Sequence, residues 1–261
     1  MIDKIQNIRV LIELPTWLGD CIMATPAIEN IVNFYDDAQI TFIGSSVSIK
    51  AMKNYPKTVK TTVLSKKYSD LYKIPRRLGK FDVFFSFRGS IRSKFLIFLI
   101  SAKNKYQFDK NKYQNRHQVE KYNDFVGDSL NTSFSAKKLK LYFDGDNSLL
   151  AESKPLLGIN PGASYGSAKR WYPQEFAKVA SKLSHKYDIV IFGGPGETDI
   201  ANDIEKELIK NNIKNCQNLA GRTTISELIS HVSNLDLFIT GDSGPMHVAA
   251  AFQVPTVAIF G

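Results

Sequence analysis

The stretch Ile8-Arg-Val-Leu-Ile-Glu-Leu14-Pro-Thr-Trp-Leu-Gly-Asp20 sets a pattern that the rest of the chain repeats. Its short apolar run predicts a buried strand, and the Pro, Gly and Asp that follow are typical of a loop leading into a helix. A strand followed at once by a helix begins a βαβ unit, and the strands of such units form parallel sheets. This stretch therefore predicts an α/β fold.

The same alternation of short apolar runs and helical stretches continues through both halves of the chain. In the first half, further strands are predicted at 39–43, 61–64, 81–87 and 138–143, with a helix at 118–130. In the second half, strands are predicted at 156–160, 188–192, 237–240 and 256–260, and helices at 173–186, 198–210, 225–235 and 245–252. The polar, turn-rich segment 144–148 lies between them and predicts two domains, 1–150 and 151–261, with a site in the cleft that they share.

The composition is that of a globular protein in a reducing compartment. Of 261 residues, 43% are hydrophobic and 23% are charged, which excludes disordered and membrane-embedded classes. The longest apolar run, 95–100, is far shorter than the roughly 20 residues of a membrane-spanning helix, and no apolar signal sequence follows Met1. The two cysteines, Cys21 and Cys216, have neither metal-ligand nor redox-pair spacing. We therefore expect a cytoplasmic protein.

The charge is concentrated in the first half of the chain. Residues 1–150 hold 24 basic and 14 acidic side chains, whereas residues 151–261 hold 10 and 11. Within the first half, residues 50–121 carry 19 basic and 4 acidic side chains. One interpretation is a solvated surface that keeps the protein soluble. The other is that this half faces a polyanion such as nucleic acid, a phosphorylated substrate or an anionic membrane.

Four segments rich in Gly, Pro and polar side chains follow predicted strands. In open parallel sheets, ligands bind beyond the carboxyl ends of the strands, which is where these segments lie. The first, 15–20, places Asp20 at the start of a helix. Asp20 either caps that helix or acts as a general base that takes a proton from an attacking hydroxyl.

The second segment, Asn160-Pro-Gly-Ala-Ser-Tyr-Gly-Ser-Ala-Lys-Arg-Trp171, is a hydroxyl-rich loop that ends in two cations. Such a loop can wrap a diphosphate, with backbone N–H groups and Lys169 opposing the phosphate charge. It is not a Walker loop, because the glycine spacing and the Gly-Lys-Ser/Thr end are missing. An exposed loop with solvated charges is the alternative.

The third segment, 192–197, combines glycines that allow close backbone approach with Glu197, which can accept hydrogen bonds from ribose hydroxyls. It lacks the G-x-G-x-x-G pattern, so a nicotinamide site is weakly supported. The alternative is a plain strand-to-helix turn in which Glu197 favours the helix start.

The fourth segment, 240–247, contains a turn followed by Pro245 at a favoured first helical position. The helix N-terminus offers N–H groups to an anion, with Ser243 and His247 as further donors. A metal pair of Asp242 and His247 lacks a third ligand at suitable spacing. A structural histidine at this position stays an open alternative.

Read in order, these residues resemble glycosyltransferase family 9, the ADP-heptose:lipopolysaccharide heptosyltransferases. The motifs that carry the resemblance are Thr16-Trp-Leu-Gly-Asp20 with Ala24-Thr-Pro-Ala27, Asn160-Pro-Gly-Ala-Ser-Tyr-Gly166 through Lys169-Arg-Trp171, Asn218-Leu-Ala-Gly-Arg-Thr223, and Asp242-Ser-Gly-Pro-Met-His247 with Ala249 and Ala250. Together they span nearly the whole chain, and the Asn160 and Asp242 motifs are the most specific.

The resemblance implies a GT-B fold, in which two Rossmann-like domains face each other across a cleft, with the acceptor in the first and the donor in the second. It implies inverting transfer of heptose from ADP-heptose to the inner-core heptose on lipid A, with no required cofactor and no implied Mg²⁺. Asp20 matches the catalytic base and Lys169 the cation on the donor phosphates. The other matching donor-site residues are Ser164 and Tyr165 beside Lys169, Glu197 at the ribose, Thr223 and Thr224 at the adenine, and Asp242, Ser243, Gly244 and His247 around the diphosphate.

The chain departs from the family pattern in two places. Family members continue well past Gly261, including a helix that packs back on the first domain, so we expect the C-terminal domain to be incomplete. The basic region 50–121 carries no motif that transfers from the family, and within it Arg88 and Arg92 are predicted acceptor contacts.

The partners expected from the resemblance are ADP-heptose and a lipid A–core acceptor. Because that acceptor carries phosphates and lies on an anionic leaflet, the basic half predicts peripheral contact with the cytoplasmic face of the inner membrane. Two alternatives stay open: a sugar-nucleotide epimerase of the same architecture, and a non-enzymatic polyanion-binding module. No RNP-type motif or recognition-helix pattern supports nucleic-acid binding.

Overall fold

Two units, Met1–Tyr142 and Phe143–Gly261, make up the chain, and each contains one parallel five-stranded sheet. The structure is a computed structural model that describes residues 8–143, 154–162 and 171–260. The predicted α/β class with parallel sheets is confirmed. The predicted linker 144–148 lies outside the described residues. Among the described helices, none is long and apolar enough to cross a membrane.

The first unit is built around β1, whose residues Val10, Leu11 and Ile12 are fully buried. The apolar centre of this strand, between Arg9 and Glu13, belongs in the middle of a parallel sheet, where helices cover both faces. The strand order is β3-β2-β1-β4-β5. The elements in chain order are β1 (Arg9–Glu13), α1 (Leu18–Met23), α2 (Thr25–Phe34), β2 (Gln39–Gly44), α3 (Ser46–Met52), β3 (Thr58–Val63), α4 (Tyr68–Leu78), β4 (Lys80–Ser86), α5 (Ile91–Leu99), β5 (Ser101–Gln107) and α6 (Gln118–Leu130).

The second unit repeats this plan around β6, in the order β10-β9-β6-β7-β8. Its core packs the sheet against helices through Phe176, Ile204 and Leu208 among others. The elements are β6 (Leu156–Asn160), α7 (Pro173–Leu183), β7 (Asp188–Ile191), a 3-10 turn (Pro195–Glu197), α8 (Thr198–Lys210), β8 (Cys216–Asn218), α9 (Ile225–Ser233), β9 (Leu237–Gly241), α10 (Gly244–Ala251) and β10 (Thr256–Ile259).

Both sheets share the doubly wound strand order, in which the chain moves outward in one direction and then returns to start again on the other side of the first strand. The order reverses between β1 and β4 in the first unit and between β6 and β9 in the second. At such a point the loops from the two strands diverge and leave a crevice at the carboxyl edge. The fold therefore places one candidate site in each unit.

One predicted strand is wrong. Residues 138–143 contain no regular strand, and the sheet edge is occupied instead by β5, a polar segment whose strand character was missed. The segment is held by side chains: the Lys140 N–H donates to Thr25 Oγ1 at 3.1 Å, and Tyr142 Oη donates to Glu29 Oε1 at 2.9 Å. Leu141 in this segment is buried, although the segment does not pair with a strand. Edge strands are commonly polar, so a search for apolar runs does not predict them.

Candidate functional site

Asp20 lies in the first turn of α1, just beyond the carboxyl end of the central strand β1. The N-cap of this helix is Trp17, and Asp20 is the third helical residue, so the N-cap interpretation of Asp20 is wrong. The loop before the helix is fixed by α3, because Ser45 Oγ donates to Thr16 O at 2.8 Å and Ser48 Oγ donates to Pro15 O. The half-buried Asp20 is thereby held at the sheet edge.

Burial raises the pKa of Asp20. The tyrosine Tyr122 on α6 is close enough to sense this carboxylate: burial raises the pKa of Tyr122, and the charge of Asp20 raises it further. The neighbouring thiol is inert, since burial raises the pKa of Cys21 to about 12. A carboxylate with a raised pKa is a stronger base than an exposed one, which suits Asp20 to take a proton from a hydroxyl.

Two arginines follow β4 at the same edge of the sheet. Arg88 approaches a fully buried carboxylate, with Nη1 3.4 Å from Glu13 Oε1. Arg92 donates to three backbone carbonyls of residues 65–67, at 2.6–3.1 Å. Arg92 thus holds the loop between β3 and α4, and its predicted acceptor role stays a prediction. The buried Glu13 was not among the predicted site residues.

In the second unit, Asn160 joins the loops that follow β6 and β9. Its side chain is buried, and Nδ2 donates to Ser243 Oγ at 3.1 Å and lies 3.5 Å from Gly162 O. In the sequence, Asn160 can be recognised as a candidate because it is a polar residue that ends an apolar strand. Asn160 fixes Ser243, the N-cap of α10, whose side chain makes no capping bond to its own helix.

Glu197 brings the loop after β7 to the same place. Its carboxylate accepts the Gly194 N–H at 2.7 Å and lies against Gly162, where an added Cβ would be 2.1 Å from Glu197 Cδ. The carboxyl group is therefore oriented by its own turn and packed against the loop after β6. The bond from Gly194 is the capping bond expected of a strand-to-helix turn, and the contact with Gly162 adds a link to the loop after β6.

The loop after β8 is tied to the loop after β7, since the Gly221 N–H donates to Gly193 O at 2.9 Å. Gly221 has φ +72°, which favours glycine. Thr224 is the N-cap of α9, where Oγ1 accepts from the Glu227 N–H at 3.3 Å. The Thr224 hydroxyl would therefore contact the adenine, as predicted, while it keeps this capping bond. Thr223, the residue before the N-cap, is half-buried.

The remaining predicted donor residues fall into two groups. Asp242, Gly244 and His247 are half-buried around the N-terminus of α10. Ser164, Tyr165 and Lys169 lie outside the described residues. Within residues 8–143, 154–162 and 171–260, no group of three or more His, Cys, Asp or Glu side chains is placed to hold a metal ion.

The comparisons with known proteins cover both units. The sequence model of glycosyltransferase family 9 (heptosyltransferase) matches residues 72–261. Lipooligosaccharide heptosyltransferase 2 of Campylobacter jejuni serotype O:2 is 44% identical over 259 residues, which cover 97% of this chain and 81% of the relative. The corresponding protein of serotype O:6 is 41% identical over the same shares of both chains.

A solved structure shows the same fold at low sequence identity. ADP-heptose lipopolysaccharide heptosyltransferase II of Escherichia coli superposes with a TM-score of 0.83 at 22% identity, covering 97% of this chain and 85% of that one. At this identity the likeness concerns the fold alone.

Proposed function

The chain belongs to glycosyltransferase family 9, the heptosyltransferases, and we propose that it transfers heptose from ADP-heptose to the inner-core heptose of lipopolysaccharide. It is a heptosyltransferase of lipopolysaccharide core biosynthesis, as its motifs predicted. The observation that carries the proposal is the close match to lipooligosaccharide heptosyltransferase 2 over nearly the whole chain. The epimerase and polyanion-binding alternatives are not favoured by any of these matches.

The proposed arrangement is a GT-B enzyme with the acceptor on the first unit and the donor on the second. Two sheets of the same doubly wound order, each with polar residues at its carboxyl edge, support this division. The α10 N-terminus, which follows β9 at the carboxyl edge, supports a diphosphate site there, because helix N-termini offer N–H groups to anions.

In the proposed reaction, Asp20 removes the proton from the acceptor hydroxyl as the hydroxyl oxygen attacks the anomeric carbon of the donor heptose. A new C–O bond forms on one face while the bond to the ADP oxygen breaks on the other, so the anomeric configuration inverts. The proton ends on Asp20, and the electron pair leaves with ADP. The raised pKa of Asp20 supports its role as the base.

On the donor side, negative charge builds on the departing diphosphate. Lys169 and the N-terminus of α10 are proposed to stabilise it, with Ser243, Gly244 and His247 at that helix end. Ser164, Tyr165 and Asp242 complete the diphosphate surroundings. Glu197 is proposed to accept hydrogen bonds from the ribose hydroxyls, with Thr223 and Thr224 beside the adenine. No cofactor is proposed.

The acceptor side is proposed to contact an anionic membrane surface. An aromatic and aliphatic surface on α4 and α5, here called the α4–α5 surface, is widely exposed: Ile91 by 87%, Phe98 by 80% and Tyr68 by 78%. Its two helices pack together through Tyr72 and Phe95, whose ring centroids are 5.6 Å apart. The same two helices and the residues just before α4 carry the exposed cations Lys66, Lys67, Lys73, Arg76, Arg77 and Lys94. Exposed apolar side chains together with cations suit the headgroup region of an anionic bilayer.

The direct test is a transfer assay with defined acceptors. The protein is incubated with ADP-heptose and lipid A carrying either one inner-core heptose or none, and the products are read by mass spectrometry. We expect one added heptose on the first acceptor and none on the second. Addition to the acceptor that lacks heptose, or no addition to either, would contradict the proposed acceptor. A melting temperature raised by UDP and not by ADP would favour the epimerase alternative.

A further inference from the structure

A buried carboxylate with no assigned role ends the central strand of the first sheet. Glu13 is fully buried, and its carboxylate accepts hydrogen bonds from Ser86 Oγ at 2.5 Å and Ser93 Oγ at 2.9 Å. Its third partner is Arg88, with Nη1 3.4 Å from Oε1. Burial raises the pKa of Glu13, while Ser86 and Arg88 oppose that rise by stabilising the charged form.

Fold stability alone does not explain a carboxylate at this position. The preceding residues of β1, Val10 to Ile12, are all apolar and fully buried. Replacing a buried ion pair with apolar side chains of similar volume is often neutral or stabilising, because two charges have lost their hydration. The buried pair instead orients the Arg88 side chain, because a hydrogen bond to a fixed carboxylate restricts the positions that a guanidinium can take.

Arg88 is the member of the pair that reaches solvent. Its side chain is 20% exposed, whereas that of Glu13 is 1% exposed. The backbone at Arg88 is fixed as well, because its carbonyl accepts from Gln107 Nε2 at 3.0 Å. Arg92, by contrast, has its guanidinium on the carbonyls of residues 65–67. The Arg92 guanidinium also lies over the Tyr68 ring, 5.6 Å from its centroid. Of the two arginines, Arg88 is the one whose guanidinium donates to the buried Glu13 carboxylate.

The positions of Glu13 and Arg88 in the first sheet put the pair beside the proposed acceptor site. Glu13 and Ser86 are register partners in β1 and β4, the two strands between which the first sheet reverses its order. The loop after β1 leads to Asp20, and the loop after β4 carries Arg88. Both loops leave the carboxyl edge on either side of one crevice.

We infer that Glu13 is a positioning residue, which holds the Arg88 guanidinium so that its other N–H groups bind oxygen atoms of the acceptor saccharide beside Asp20. The inference rests on the proposed function, because it takes the first unit as the acceptor site. It separates Arg88, as an acceptor contact, from Arg92, which shapes the neighbouring loop.

The first test is Glu13→Gln, which keeps the size of the side chain and removes its charge. The acceptor KM should rise roughly threefold to tenfold, the effect expected for one weakened hydrogen bond, because the Gln amide oxygen can still accept from Arg88. The kcat and the KM for ADP-heptose should stay unchanged. Asp82→Asn is the matched control, since Asp82 lies in β4 of the same sheet and pairs with Lys103. The control should leave the acceptor KM unchanged.

The second test is a double-mutant cycle with Arg88→Met. If Glu13 acts through Arg88, then Glu13→Gln adds nothing to the acceptor KM once Arg88 has been replaced. The variant Glu13→Leu with Arg88→Met should fold with an undiminished melting temperature and still show the raised acceptor KM. An unchanged acceptor KM in this folded variant would overturn the role of the pair even if either single substitution prevents folding.

The outcomes separate this inference from the proposed function. Transfer by the unaltered protein, together with equal acceptor KM values for it and for Glu13→Gln, would overturn the positioning role alone. Additive effects in the cycle would overturn it as well, because Glu13 would then act independently of Arg88. Absence of heptose transfer by the unaltered protein would overturn both.

Discussion

At the scale of single residues, the chemistry depends on a few side chains whose surroundings change their ordinary behaviour. Asp20 is partly withdrawn from water in the first turn of α1, and no cation is among the causes of its pKa shift. Desolvation disfavours the charged form, so the proton is bound more tightly than on an exposed aspartate. The same effect makes the carboxylate a better proton acceptor.

The pH dependence of the reaction should report this raised pKa. In the proposed mechanism, transfer needs the carboxylate form of Asp20. The kcat/KM for ADP-heptose at saturating acceptor should therefore fall on acidification at a higher pH than an exposed aspartate would give. The measurement is a pH–rate profile, with circular dichroism showing that the protein stays folded throughout. A rate that holds steady down to the ordinary aspartate range would contradict the role of Asp20 as the base.

Gly162 tests the donor site at the same scale. An added Cβ would lie 2.1 Å from Glu197 Cδ, so Gly162→Ala must displace either the carboxylate or the loop after β6. We expect ADP to raise the melting temperature of this variant much less than that of the unaltered protein. Gly196→Ala is the matched control, because a Cβ there meets nothing within 4 Å. Equal responses to ADP in both variants would argue against Glu197 at the nucleotide.

At the scale of secondary-structure elements, the loops of the second unit form a connected set. Asn160 links the loops after β6 and β9, Glu197 links those after β6 and β7, and Gly221 links those after β7 and β8. A nucleotide contact made by one loop is therefore supported by its neighbours. Pre-positioned donors of this kind need little reorganisation when charge develops on a leaving group.

The sequence predicts an element when a short stretch of residues carries its pattern, and it fails when contacts with distant residues decide the structure. The central strands are apolar and were predicted, and so was α6, which begins with a capping box of His117 and Glu120. The apolar pattern does not predict the polar edge strand β5, and the strand that it predicts at 138–143 is wrong. The sequence pattern does not predict α2 to α5, because tertiary packing stabilises such short helices more than their own sequence does.

The candidate site follows the same rule. Gly, Pro and Asp at strand ends give a local signal, so Asp20, Glu197 and the segment 240–247 could be picked out from the sequence. The pair of Glu13 and Arg88 joins residues 75 positions apart and gives no local signal. Such pairs become visible only when the strand register is known.

The proposed membrane contact of the α4–α5 surface can be tested by substituting its exposed apolar residues. Ile91→Ser with Phe98→Ser should weaken binding to anionic vesicles by about a hundredfold or more, because each of the two large apolar side chains that enter the bilayer contributes about 1.5–3 kcal/mol. Ile209→Ser is the control, since Ile209 is an exposed apolar residue of α8 in the second unit. Sedimentation with anionic and neutral vesicles gives the partition coefficients. Unchanged binding of the double variant would remove this surface as the membrane contact.

At the scale of the whole molecule, the two halves of the chain differ in charge, as the proposed division of acceptor and donor would require. The basic excess lies in residues 1–150, and the second half is nearly neutral. This division matches a phosphorylated lipid acceptor on the first unit and a soluble nucleotide donor on the second. Binding to the anionic surface should weaken as salt screens the attraction, whereas ADP binding should depend less on the basic half.

The measurement that tests this account most directly compares turnover and ADP affinity in the same variant. Asp20→Asn keeps the shape of the side chain and removes the base, so heptose transfer should fall by about 10²- to 10⁴-fold. The dissociation constant for ADP should stay unchanged, because Asp20 belongs to the first unit. The exposed Asp37→Asn serves as the control and should behave as the unaltered protein. Transfer within a few-fold of normal, or a loss of ADP affinity, would contradict the account.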